Sequence, residues 1–320
     1  MFARAHMPQT ILGCLLCFVL LAACAGATTT TPSPTPARTG IAAPTVQAAT
    51  PAPTATATAV TPRFYTAHTL LRSAWRPDDL AFDPQGRVLF SDVHNGIIGR
   101  LNSDGSVTVL LRDANGPEGI VALANGSLIF AEQYTNRIMT LAPGANAPVV
   151  LRNLPGQQSQ TSCKDGVDGI AYDPATSSII VPDSPTGNVY SLSLDGKTLA
   201  LLASGIVRPV GAAVDGRGNV YVADECGGAV WRIAPNGQTT RIGGFGMPDD
   251  VAFDPAGNLL LIDLQPAIHA LIRVNLATGQ RETLASQGFI EPQGLLVNQR
   301  GTIYVSDDYA DSIVEFVPHE

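Results

Sequence analysis

Basic residues are scarce in this 320-residue chain, 19 against 27 acidic ones, and only 14% of its residues are charged. An acidic surface repels the phosphate backbone, so no nucleic-acid partner is expected. There is no G-x-S-x-G elbow, no glycine-rich phosphate loop and no Cys/His spacing of the zinc type. Serine-hydrolase, nucleotide and zinc chemistry therefore have no motif to rest on. Cysteine is also sparse, five in all, and the apolar run at residues 11–21 is too short to cross a bilayer as a helix.

That short run nevertheless has a meaning. It follows Arg4, precedes the small residues Ala22 and Ala23, and has no acid near it, which reads as a secretory leader over residues 1–23. The leader ends in Leu21-Ala22-Ala23-Cys24, which looks like a bacterial lipobox, so Cys24 is the expected lipidation site. Acyl chains there would anchor the protein to the outer side of a membrane of the bacterial envelope. Loss of Arg4 with the leader takes the 19 basic residues to 18 against 27 acids, a formal charge of −9. Cys14 and Cys17 leave as well, so only Cys163 and Cys226 remain in the folded part, and an oxidising compartment would join them in one disulfide.

Residues 25–62 are almost wholly Ala, Thr and Pro, with Arg38 as the only charge and seven prolines. Such a segment has too little apolar surface to offset the entropy of ordering and favours polyproline II, so residues 24–62 read as a lipidated cysteine and a disordered tether. Fully extended at about 3.1 Å per residue, it reaches roughly 100 Å.

From residue 63 to 320 one phrase returns every 40 to 50 residues. It begins at Pro77-Asp78-Asp79, Pro117-Glu118-Gly119, Val167-Asp168-Gly169, Pro209-Val210-Gly211, Pro248-Asp249-Asp250 and Pro292-Gln293-Gly294. Each start leads into a short apolar strand, a tight turn, a second apolar strand ending in an acid, and then further strands. In the fifth copy, Asp254-Pro255-Ala256-Gly257 has the chemistry of the tight turn. The pattern predicts an all-β fold, a six-bladed β-propeller of four-stranded antiparallel blades. The sixth copy ends after its third strand, at residues 313–317, while residues 65–71 resemble a fourth strand with no inner partners. The N-terminal strand is therefore expected to close the last blade and hide both edges.

With the Pro-x-Gly starts, the turns and the strand-ending acids in place, residues 63–320 resemble the NHL-repeat and the gluconolactonase (senescence-marker-protein) groups of propellers; the phrase from Pro209 to Asp224 is typical of both. The resemblance implies that the loop before each inner strand sits on the upper rim of a central channel. Asp78, Glu118, Asp168 and Asp249 would then converge there as ligands of a divalent metal, possible Ca²⁺ sites in the gluconolactonase manner. Val210 cannot ligate, and none of the six positions is the Asn that those enzymes use, so the chain departs from the gluconolactonase ligand set at these positions. Gln293, His94, His269, Tyr134 and Tyr309 fall on the same side as candidate ligand-binding residues; solvated loop positions are the plainer reading for them. The second acid series, Asp92, Glu132, Asp183, Asp224, Asp263 and Asp307, recurs in every copy, so these acids are expected to brace turns rather than react. Cys163 and Cys226 lie in loops of neighbouring blades on that side, so their disulfide would pin the loop at residues 153–165 over the channel. The expected function is a monomeric, membrane-anchored propeller binding a small molecule, glycan or protein at its upper face. The alternative is a calcium-dependent hydrolase of lactones or related esters.

Overall fold

The computed structural model describes residues 65–157 and 163–319. The leader, Cys24 and the tether, residues 1–62, lie outside the described residues.

Six four-stranded antiparallel sheets make up the described chain. Their innermost strands are Leu80–Phe82, Pro117–Ala122, Ala171–Asp173, Pro209–Val214, Pro248–Phe253 and Pro292–Val297. Two of the turns after them, Asp83–Gly86 and Asp254–Gly257, have the sequence Asp-Pro-x-Gly and form for a local reason. Asp254 Oδ1 accepts the backbone N–H groups of Ala256 and Asn258, each at 2.9 Å, while Gly257 takes φ +78°, a conformation that costs glycine nothing. Asp83 does the same for Gln85 and Arg87 in the first blade.

The second strand, such as Leu128–Glu132 or Leu259–Asp263, is buried along its length in five blades, and in the sixth only Tyr304 is half-buried. Blades packed on both of its faces explain why it reads as an unbroken apolar run. The core is accordingly divided into six apolar layers, one between each pair of adjacent blades. The layer that closes the ring joins Leu71 and Ile313 of the last blade to Leu80, Val88, Phe90 and Ile97 of the first.

As expected, the N-terminal strand completes the last blade. Tyr65–Arg72 runs antiparallel to Ser312–Pro318, from Tyr65 opposite Pro318 to Arg72 opposite Ser312. Both ends of the chain thus lock into one sheet, of order N-terminal strand, third, second and first strand.

Candidate functional site

The inner ring is tight enough to force side chains on its members. A Cβ on Gly119 would stand 2.5 Å from the carbonyl oxygen of Asp168 in the next blade, and one on Gly294 would stand 2.4 Å from that of Asp78. Glycine follows the variable position of Pro-x-Gly because the neighbouring backbone occupies the space. Where aspartate replaces that glycine, it reaches across instead: Asp79 Oδ2 accepts the N–H of Ile120 at 2.6 Å, and Asp250 Oδ2 accepts that of Leu295 at 2.8 Å.

The closed ring brings the variable positions to one axis. Asp78, Asp168, Asp249 and Gln293 line a single axial cavity with Asp79 and Asp250. Its volume is about 10 Å³, room for one water and not for an organic molecule. Glu118 faces the same group: burial pushes its carboxyl well above the usual range, and Asp168, Asp78 and Asp249 add to the rise against the opposing charge of Arg208. Burial first, then Asp168 and its other acidic neighbours, raise Asp78 and Asp249 in the same way. Glu118 is 4% exposed, and its Oε2 has no hydrogen-bond partner. The fourth blade offers no acid here, since Val210 is fully buried in an apolar layer.

Arg208, two residues before Val210, fills that gap, and the sequence reading missed it. Its guanidinium lies 3.4 Å from both Asp168 Oδ2 and Asp165 Oδ2 and pairs with Glu225. Burial works to lower its pKa, but Asp168, Glu225, Asp249 and Asp165 outweigh that and hold it charged. The Cys163–Cys226 disulfide, with Cα atoms 5.9 Å apart, fastens the segment carrying Asp165 beside Glu225. Residues 158–162 of the intervening loop lie outside the described residues.

A hard divalent cation would find the right donor type here, carboxylate oxygen with one unpartnered atom. The placement does not match: among the described residues no three His, Cys, Asp or Glu side chains are grouped so as to hold a metal ion, and Asp168 already faces Arg208. As they stand, Asp78, Glu118, Asp168 and Asp249 converge without forming a chelate.

The remaining candidates divide. Tyr134 is exposed, lies over Gly116 and is close enough to Glu118, Asp78 and Asp92 that, after burial, their charges raise its phenol pKa. The Tyr309 ring carries the Arg76 guanidinium at 4.3 Å, and Arg76 also pairs with Asp308 Oδ2 at 3.0 Å. His94 is exposed and His269 half-buried in a turn at φ +38°; neither lines the axial cavity. A groove of about 760 Å³ lies between the fourth and fifth blades, lined by Val214, Asn219, Tyr221 and Phe253 with the turns at Asp215 and Asp254. Those turns lie at the opposite end of the strands from the channel mouth, and similar grooves recur between other blades. We read them as the wedges left where blades diverge.

The acid series at the strand ends braces loops in every blade. Asp92 accepts the N–H groups of Arg76 and Asn95, Asp224 those of Arg208 and Gly227, and Asp307 those of Ile290, Glu291 and Ala310. Glu132 binds Arg137, and Asp183 binds Asn136 and Thr186.

The cluster at the axis makes stability depend on pH. Burial pushes Asp250 up to about 7, against the backbone N–H groups of Leu295 and Val251 that favour its charged form. The folded state therefore keeps a proton that the unfolded chain has already lost, so this contribution is complete below about pH 4 and disappears as pH rises through about 7. At about 1.4 kcal/mol per unit, thermal melts are expected to show a Tm about 5 °C lower at pH 8 than at pH 5. Asp250→Asn makes that slope shallower, the other raised acids keeping the remainder; a slope of opposite sign would contradict the assignment.

No protein family's sequence model matches this chain. It is 30% identical over 164 residues to a virginiamycin B lyase from Nocardia farcinica, a match covering 51% of this chain and 53% of the relative. The chain thus spans about half the length of that curated relative. Among solved structures, it superimposes on a gluconolactonase from Xanthomonas campestris with TM-score 0.64 and 17% identity, over 80% of this chain and 90% of the other. A catalytically inactive virginiamycin B lyase from Staphylococcus aureus with quinupristin aligns at TM-score 0.57 and 14% identity, over 79% of this chain and 99% of the other. At these identities the structural likeness establishes one thing, that the chain has the six-bladed propeller fold of gluconolactonase-like proteins and streptogramin B lyases.

Proposed function

We propose that this protein is a propeller held at the bacterial envelope by a lipid on Cys24, and that its upper channel face binds a small molecule. One observation carries the binding reading. Acids from four blades converge on one axis, and one of them, Glu118, is buried with an oxygen that no protein donor satisfies. Leaving a buried acceptor unpaired costs about 1–3 kcal/mol, an arrangement expected where an outside partner completes the pairing. The cavity below holds one water at most, so the body of a ligand rests on the rim, beside the exposed rings of Tyr134 and Tyr309.

A second reading, ring opening of a lactone or related ester, draws on the kinds of relative that share the fold and on carboxyls whose pKa burial and neighbouring acids raise, the direction a general acid requires. Arg208 is placed to steady a developing negative charge.

Amide exchange of the intact protein with a panel of lactones and cyclic esters tests the binding reading. Slowed exchange is expected in the loops before Pro77 and Pro117 and at Gln133–Thr135. Protection confined to the groove between the fourth and fifth blades would overturn it. Turnover of any panel member that disappears in a folded Glu118→Gln protein establishes the second reading.

A further inference from the structure

We propose that the side of the channel mouth formed by the first and second blades recognises the primary ammonium group of a small ligand; this rests on the upper face being the binding surface.

Charge at the mouth is unevenly compensated. On the side of the third and fourth blades, Arg208 serves Asp168, Asp165 and Glu225. At the rim between the sixth and first blades, Asp308 and the Tyr309 ring hold Arg76, whose charge is thereby engaged. Arg137 is spent on Glu132. Asp78, Glu118 and Asp249 are left without an ion pair among the described residues; Arg208 acts on Glu118 and Asp249 only from a distance, and of the three only Glu118 has a buried oxygen without a donor, Oε2. Asp92, another acidic neighbour of Asp78, is occupied by the N–H of Arg76 and by Asn95.

Two features narrow the ligand. An exposed tyrosine, Tyr134, stands beside Glu118 and Asp78, close enough to feel both charges, and an aromatic face attracts a cation within about 6 Å. Ionised, Oε2 is an acceptor, and a cation that brings a hydrogen-bond donor offsets the burial and acidic neighbours that oppose its charge. A primary ammonium offers three N–H groups and a quaternary one offers none. The axial cavity, lined by Asp78 and not by Glu118, has room for a single water, so only the charged head reaches between the two carboxyls and the rest of the ligand lies against Tyr134.

Calorimetric titration of the intact protein at pH 7 with benzylamine, benzyl alcohol, benzyltrimethylammonium and calcium chloride tests this. Benzylamine is expected to bind at least tenfold more tightly than either organic analogue. Glu118→Gln is expected to weaken it at least tenfold and the exposed Tyr134→Ala severalfold, with thermal melts confirming that both variants fold. Equal binding of benzyl alcohol, unchanged benzylamine affinity in folded Glu118→Gln and Asp78→Asn proteins, or exclusion of benzylamine by calcium would each overturn it. Neutral lactones that protect the upper loops while benzylamine fails to bind would refute the ammonium site and leave the binding face intact. Protection on the opposite face alone would refute both.

Discussion

Deleting the strand Tyr65–Arg72 is expected to destroy the cooperative unfolding transition and to yield a protein that associates or precipitates. That strand supplies the outer edge of the last blade, pairing with Ser312–Pro318 over seven residue positions. It also carries Leu71, 3% exposed, into the apolar layer between the last and first blades. At about 1 kcal/mol net for each ladder hydrogen bond and about 2 kcal/mol for the leucine, the loss is of the order of the 5–15 kcal/mol that a whole domain possesses. The consequence is also topological, because the strand ties the beginning of the described chain to its end. Without it, Ser312–Pro318 becomes a bare edge open to pairing with another molecule. Calorimetry with light scattering reads both effects. A monomeric truncated protein melting within a few degrees of the intact one would show that the six apolar layers hold the ring unaided.

The ring was legible in the sequence because its determinants are local and repeated. Pro-x-Gly or a close variant marks each entry, an Asp- or Asn-containing tight turn follows each inner strand, and an apolar run makes each second strand; in the fifth copy the turn at Asp254–Gly257 indeed joins Pro248–Phe253 to Leu259–Asp263. In the first and third blades the inner strand starts later than the motif, at Leu80 and Ala171. There the entry residues bond to neighbours outside the strand ladder, Val167 N–H to the Asn136 side chain, for example. The axial acids were legible only through closure of the ring, since residues 40 apart in sequence meet only when every blade is present. What escaped reading depends on side-chain direction. Arg208 lies outside the repeated triplet, and nothing in its spacing says that it turns towards Asp168. Asp79 and Asp250 look like lapses from glycine and are in fact bridges to the next blade. The distance between facing carboxylates, which decides whether they hold a metal ion, is likewise a property of packing.

Replacing Asp263 by alanine is expected to cost about 4 kcal/mol, because one side chain satisfies three backbone donors in two separate loops. Asp263 is fully buried; its Oδ2 accepts the N–H of Gly246 at 2.7 Å, and its Oδ1 accepts those of Met247 at 2.9 Å and Gln265 at 3.1 Å. Each orphaned, buried donor costs about 1–3 kcal/mol, and bonds to a charged acceptor lie at the upper end. For a domain of this size, the expected fall in Tm is about 10 °C. Asp263→Asn keeps one acceptor oxygen and is expected to lose about half as much. The effect extends to the channel, because Gly246 and Met247 immediately precede Pro248 and Asp249 and set where the Asp249 carboxyl meets the axis. Faster amide exchange at Gly246 and Met247 should therefore accompany the lower Tm. If Asp263→Ala unfolds within 1 kcal/mol of the parent, water has replaced the carboxylate, and the strand-end acids cannot be what holds the entry loops, and with them the acids of the mouth, in place.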